Sequence, residues 1–102
     1  MISGNIDWTD AFAAIEAAMI RAANQKSAKI AESEAERHGL TNKRDGKYEV
    51  WERTGDGVIL HFRWHYYDQS HAYRTYPDMN VMSLELQQGD KIIRQAEYRF
   101  ED

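Results

Sequence analysis

The hydrophobic pattern changes period once along the chain. In the first half, Trp8, Phe12, Ile15 and Met19 recur at helical spacing, which aligns them on one face of a helix. In the second half, Val58, Leu60, Phe62, Trp64 and Tyr66 alternate with Ile59, His61, Arg63, His65 and Tyr67, the signature of a strand with one apolar face. These two stripes organise the rest of the reading.

Asp7 is placed to cap the helix, with Asp10 where an acidic side chain suits the first turn. Alanine is frequent from Ala11 to Ala35, and neither Gly nor Pro interrupts before Gly39, whose neighbour Leu40 can supply the hydrophobic contact of a C-terminal cap. The pattern therefore predicts one continuous helix over residues 8–38, about 46 Å long at about 1.5 Å per residue. A ten-residue strand spans only about 33 Å, so the helix must either overhang the sheet or break near Asn24-Gln25. The continuous helix is the preferred reading. Its second half then projects as a solvated overhang or offers Ala28, Ala31 and Ala35 as a seam for another helix.

Residues 41–46 read as a polar turn, and residues 47–53 as the first strand. A three-residue Gly55-Asp56-Gly57 loop would place Tyr48 opposite Trp64 and Val50 opposite Phe62 inside, with Trp51 opposite His61 outside. A two-residue Asp56-Gly57 turn would instead put Glu49 on the core face, so the longer loop is preferred. Residues 68–79, with Pro77, read as a long loop carrying a short edge extension at 72–76. Residues 80–87 resume a strand with Met82, Leu84 and Leu86 inward. The last strand, Lys91–Glu101, points Ile92, Ala96, Tyr98 and Phe100 inward, with Arg94 the exception. The fold class is α+β: a long N-terminal α-helix packed on a four-stranded antiparallel β-meander, one domain over 1–102 with the sheet at about 47–101. This plan is similar to helix-on-curved-sheet folds such as the cystatins, a likeness of architecture without a shared motif.

Composition narrows the classes. A chain of 102 residues can bury one core. Its net charge of −4 falls entirely in residues 45–102, and it argues against direct binding of nucleic acid. The absence of cysteine excludes a disulfide framework and a thiolate metal site. No apolar run approaches membrane-spanning length and no signal pattern opens the chain, so no membrane association is expected and a cytoplasmic location is.

Candidate chemistry is sparse. His61 and His65 share a strand face, but their backbones stand about 13 Å apart. With Asp68 and His71 nearby, outward polar residues remain a better reading than a metal site. Glu52 and an inward Arg94 suggest an ion pair at the core's edge, the nearest thing to a catalytic constellation. Nucleophile elbow, phosphate-cradling glycine loop and metalloprotease spacing are all missing, so no catalytic residue, metal or cofactor is assigned and binding is favoured over catalysis. The interleaving of Lys26, Lys29, Arg37, Lys43 and Arg44 with Glu32, Glu34 and Glu36 reads as a solvated surface. Trp51, Tyr67, Tyr73 and Tyr76 have no place in this core, and Arg74 lies between the last two. Together with His61 they form the candidate binding set, because Trp, Tyr and Arg dominate interface hot spots.

These observations lead to the expectation of a small acidic protein-binding module. In size, charge and plan the chain resembles bacterial immunity and phage anti-defence (anti-CRISPR-like) inhibitors. That resemblance implies another protein as partner, with a basic surface to block, such as a nuclease or nucleic-acid-guided complex. The alternatives are a ligand-binding or catalytic pocket between helix and sheet, and a homo-oligomer such as a homodimer, joined through the alanine seam or the aromatic sheet face.

Overall fold

The computed structural model describes residues 7–45, 48–67 and 78–101. Two helices, α1 (Trp8–Gln25) and α2 (Ala28–Arg37), precede five strands: β1 (Thr41–Asp45), β2 (Tyr48–Gly55), β3 (Val58–Tyr67), β4 (Met79–Gln88) and β5 (Lys91–Glu101). The strands form one antiparallel sheet in the order β1-β2-β3-β4-β5, and both helices lie on the same face of it, the inner face.

The expected continuous helix is broken. Asp7 caps α1 as anticipated, its side chain accepting from the Asp10 amide at 3.1 Å. At the far end Lys26 takes a left-handed conformation, φ 55°, and the Ser27 amide bonds back to the Ala22 carbonyl at 2.9 Å. This is a Schellman-type stop in which lysine occupies the position usually given to glycine. α2 then starts at Ala28, with Ser27 as its N-cap residue, and ends in a second stop of the same type: Gly39 has φ 85°, and the Leu40 amide bonds to the Ala35 carbonyl at 3.0 Å. The first turn of α1 lies against Gly55, while Arg53 donates to the His38 carbonyl at the end of α2. The helices therefore double back over one end of β2. Ala28, Ala31 and Ala35 are buried in the core, so the seam is covered within the chain and α2 is not a solvated overhang.

The sheet has one strand more than expected. Residues read as a polar turn form β1, whose Thr41–Asp45 ladder runs along β2. An edge strand can be polar on both faces because its partner on one side supplies the backbone hydrogen bonds.

β1 also explains a second correction. The β2–β3 turn is the two-residue Asp56-Gly57 form, with φ 53° and 76°, and the register sets Trp51 opposite Phe62 and Glu49 opposite Trp64. The three-residue loop is thus wrong, and β2 is turned over relative to the expectation. Tyr48 and Val50 face outward, while Glu49, Trp51 and Arg53 face the helices. Each inward polar group has a partner there. Arg44 of β1 holds Glu49 with two hydrogen bonds at 3.1 and 3.4 Å. The Trp51 indole donates to Glu36 at 3.1 Å, and the Arg53 guanidinium meets the C-terminus of α2 at 2.8 Å, where the helix dipole favours a cation.

The core otherwise follows the two stripes. Phe12, Ile15 and Met19 pack with Leu60, Phe62, Met82, Leu84 and Leu86, and these side chains are essentially inaccessible. Asn80, buried on the inner face, accepts from the Trp64 indole at 3.0 Å. Ala96, Tyr98 and Phe100 face inward, but Ile92 does not: a bulge between Leu86 and Gln87 shifts the register, sets Ile92 opposite Gln87 and leaves it 52% exposed.

Candidate functional site

The outer face of the sheet, on which neither helix packs, carries the side chains of the candidate site. Alternation along β3 places His61, Arg63, His65 and Tyr67 there, and the β2 register adds Tyr48, Val50 and Glu52. Three rings form a chain. Tyr48 and His65 have centroids 4.5 Å apart, and His65 meets Tyr67 edge-on at 4.1 Å. The Arg63 guanidinium lies 4.7 Å from the Tyr48 ring centroid, within cation–π range. Val50 is only 5% exposed although it faces away from the main core, so this side of the sheet has close packing of its own.

Beside the rings runs a row of charges. His61 Nδ1 lies 2.9 Å from Glu52, and Lys43 of β1 reaches the other oxygen of the same carboxylate at 3.3 Å. Hydrogen bonding with His61 is the largest cause holding the Glu52 carboxyl below its usual value of 4.5; Lys43 acts in the same direction, against the effect of partial burial. Across β3 towards β4 and β5 the same face opens into a depression of about 420 Å³ lined by Arg63, Ser83, Glu85, Gln95 and Glu97. A second of about 290 Å³ lies between Arg63, Tyr67, Val81 and Arg99. Both are polar hollows between rows of side chains on the sheet surface.

The expected site residues are divided by this geometry. His61 and Tyr67 do face outward, within one aromatic and charged surface. Trp51 does not: it is 3% exposed, packed against Phe62 with tilted rings 5.5 Å apart, and its indole nitrogen is bonded to α2. Its removal from the outer face follows directly from the turn. Tyr73, Arg74 and Tyr76 lie outside the described residues, as do Asp68 and His71 of the histidine set and the edge extension at 72–76. Among the described residues no group of His, Asp and Glu side chains has the arrangement to hold a metal ion. The Glu52–Arg94 pair does not form. Glu52 faces outward to His61, whereas Arg94 sits on the opposite face with its guanidinium 5.1 Å from the Phe12 ring centroid.

Tyr48, Arg63 and His65 were missed as site residues. Arg63 and His65 were signalled by the alternation of β3, which sets them in the same row as His61 and Tyr67. Tyr48 had no such signal, because its face depends on the register of β2. On the other side of the molecule Glu32 comes close to Glu49 and Glu36, and its carboxyl is pushed up chiefly by burial, with those two charges adding to the effect. No described helix is long and apolar enough to cross a membrane. Comparison with protein-family models, with characterised proteins and with solved structures finds no match to this chain.

Proposed function

We propose that the protein is a protein-binding module that contacts its partner through the outer sheet face at the Tyr48, Arg63, His65 and Tyr67 cluster. The observation that carries this reading is the presence of large aromatic and guanidinium groups on a face that neither helix occupies. Such side chains offer contact area at little cost in conformational entropy, and they recur at the centres of interfaces. His61, with its Glu52 and Lys43 partners, extends the contact as a polar rim. The helix-to-sheet interface is filled by side chains, which argues for a surface rather than an enclosed pocket as the working element.

The partner belongs to the inhibitor reading. A net charge of −4, with Glu52, Glu85 and Glu97 on the outer face itself, favours a target with a basic surface. A nuclease or nucleic-acid-guided complex of the kind blocked by immunity and anti-defence inhibitors has that chemistry. The test is capture of a partner on the immobilised full chain, followed by titration of that partner with Tyr48→Ala and Tyr67→Ala variants. At least one substitution should weaken binding by about 2 kcal/mol, roughly thirtyfold. Thermal unfolding of the free variants should scarcely move for Tyr67→Ala, whose side chain is exposed. A captured partner indifferent to both substitutions, or no captured partner, refutes the reading.

A further inference from the structure

The two edges of the sheet are built differently. β1 is five residues long with Lys43 at its centre, so antiparallel pairing with a copy of itself about that centre would set lysine against lysine. β5 is eleven residues long, contains no proline, and among the described residues pairs with β4 alone. Its side chains are mostly exposed, Ile92 and Ile93 among them. Charge ordinarily guards such an edge against self-association. Here the charges are arranged so that they attract in one self-register and repel in its two neighbours.

The geometry points to an antiparallel pairing of β5 with β5 of a second copy, about a two-fold axis at Tyr98, joining two five-stranded sheets into one. Residues opposite each other in an antiparallel pair share a face, so the permitted registers step by two residues. The bulge displaces the first residues of β5, which leaves 94–101 as the regular stretch. On its outer face stand Gln95, Glu97, Arg99 and Glu101; on its inner face stand Arg94, Ala96, Tyr98 and Phe100. An axis at Glu97 sets that carboxylate against its own copy. An axis at Arg99 opposes two guanidinium groups and also sets Glu97 against Glu101. With the axis at Tyr98, Glu97 of each copy faces Arg99 of the other, Ala96 faces Phe100, and Gln95 faces Glu101. An axis at Ala96 repels nothing but pairs only residues 94–98 and gains no ion pair.

Two contacts within the chain prepare this seam. Arg99 already reaches Glu97 at 2.8 Å, so the two charges lie together on the outer side of the edge. Two such pairs meeting across the axis place each cation between two carboxylates. On the inner side, Tyr98 donates to Glu16 of α1 at 2.7 Å. One helical turn beyond Glu16, on the same flank of α1, Ile20 is 42% exposed and adds apolar surface beside the seam. A contact of one paired strand and a helix flank is at the small end of interface sizes, so the dimer forms and dissociates reversibly.

Sedimentation velocity of the full chain, in a concentration series up to about 0.1 mM, should show a monomer–dimer equilibrium. Glu97→Arg alone, or Arg99→Glu alone, places like charges at both crossing points and should weaken the dimer at least tenfold. An equimolar mixture of these two variants restores opposite charges at both points and should recover a dimer. So should the double variant E97R/R99E on its own. Both positions are exposed, and unchanged melting curves will show that the variants fold. An unmodified chain that stays monomeric overturns the proposal, as does a dimer indifferent to both reversals. Loss in both single variants without recovery on mixing overturns the register. Glu97 and Arg99 line the same outer-face depressions as Arg63 and Tyr67, but sedimentation reads self-association of the chain alone, so its failure is distinguishable from failure of the partner-binding test.

Discussion

Replacing Trp51 by alanine separates the observed register from its rival. On an outward face the substitution would remove little packing and cost within about 0.5 kcal/mol. In the structure Trp51 is 3% exposed, rests on Phe62 and bonds to Glu36. A buried tryptophan removes about 200 Å² from water, worth about 5 kcal/mol at about 25 cal/mol per Å². The area an alanine still buries and the compactness of the unfolded chain reduce this to about 3–4 kcal/mol. The lost ring pairing with Phe62 adds about 0.5–1 kcal/mol, so the expected loss is about 4 kcal/mol, in the range measured for such truncations. For a domain of this size that is a large part of a total stability of about 5–15 kcal/mol. Urea unfolding followed by far-UV circular dichroism avoids dependence on the tryptophan that has been removed, and the m-value should stay constant. Trp51→Phe should recover part of the loss, because a ring still packs on Phe62 while the rest of the indole and its bond to Glu36 are gone. A cost below about 1 kcal/mol for Trp51→Ala would refute the register and, with it, the assignment of Tyr48 to the outer face.

The helix break gives a second expectation. Lys26→Gly relieves a left-handed backbone but frees the unfolded chain, so urea unfolding should show a net gain of about 0.5 kcal/mol, whereas Lys26→Val should lose at least about 1 kcal/mol; the reverse order would contradict the stop at Lys26. The third concerns acid stability. Because the Glu52 carboxyl is held below 4.5 when folded, the stability it contributes is present above that value and lost as pH falls through the lower folded value. Glu52→Gln should therefore flatten the decline of stability below about pH 4.5, measured by unfolding midpoints across that range, and an unchanged decline would show that His61 and Lys43 do not hold the carboxylate.

How much of the fold was legible follows from the range of the interactions that decide each element. The stripe of Phe12, Ile15 and Met19, the Asp7 cap and the Gly39 stop are local features, spanning three or four residues, and all three stand. The inward rows of β3 and β4 stand for the same reason, since alternation is carried by each strand alone. From that row His61 and Tyr67 could also be placed on the outer face. The break at Lys26 left no local mark, because lysine occupies the left-handed position where glycine would have announced a stop.

Tertiary structure decided the rest. β2 carries apolar or aromatic side chains on both of its alternating rows, Tyr48 and Val50 on one and Trp51 on the other, so its pattern fits either face. The choice was made by groups on other elements: Arg44 of β1 facing Glu49, Glu36 of α2 accepting from Trp51, and the His38 carbonyl receiving Arg53. Those partners exist only once α2 has folded back and β1 has joined the edge. The same choice assembled the candidate surface, since turning β2 over carried Trp51 into the core and brought Tyr48 against His65. Periodicity records which side of a strand is apolar when one side clearly is. Where both sides are serviceable, the charges that must find partners on burial select the face, and they can do so only in three dimensions.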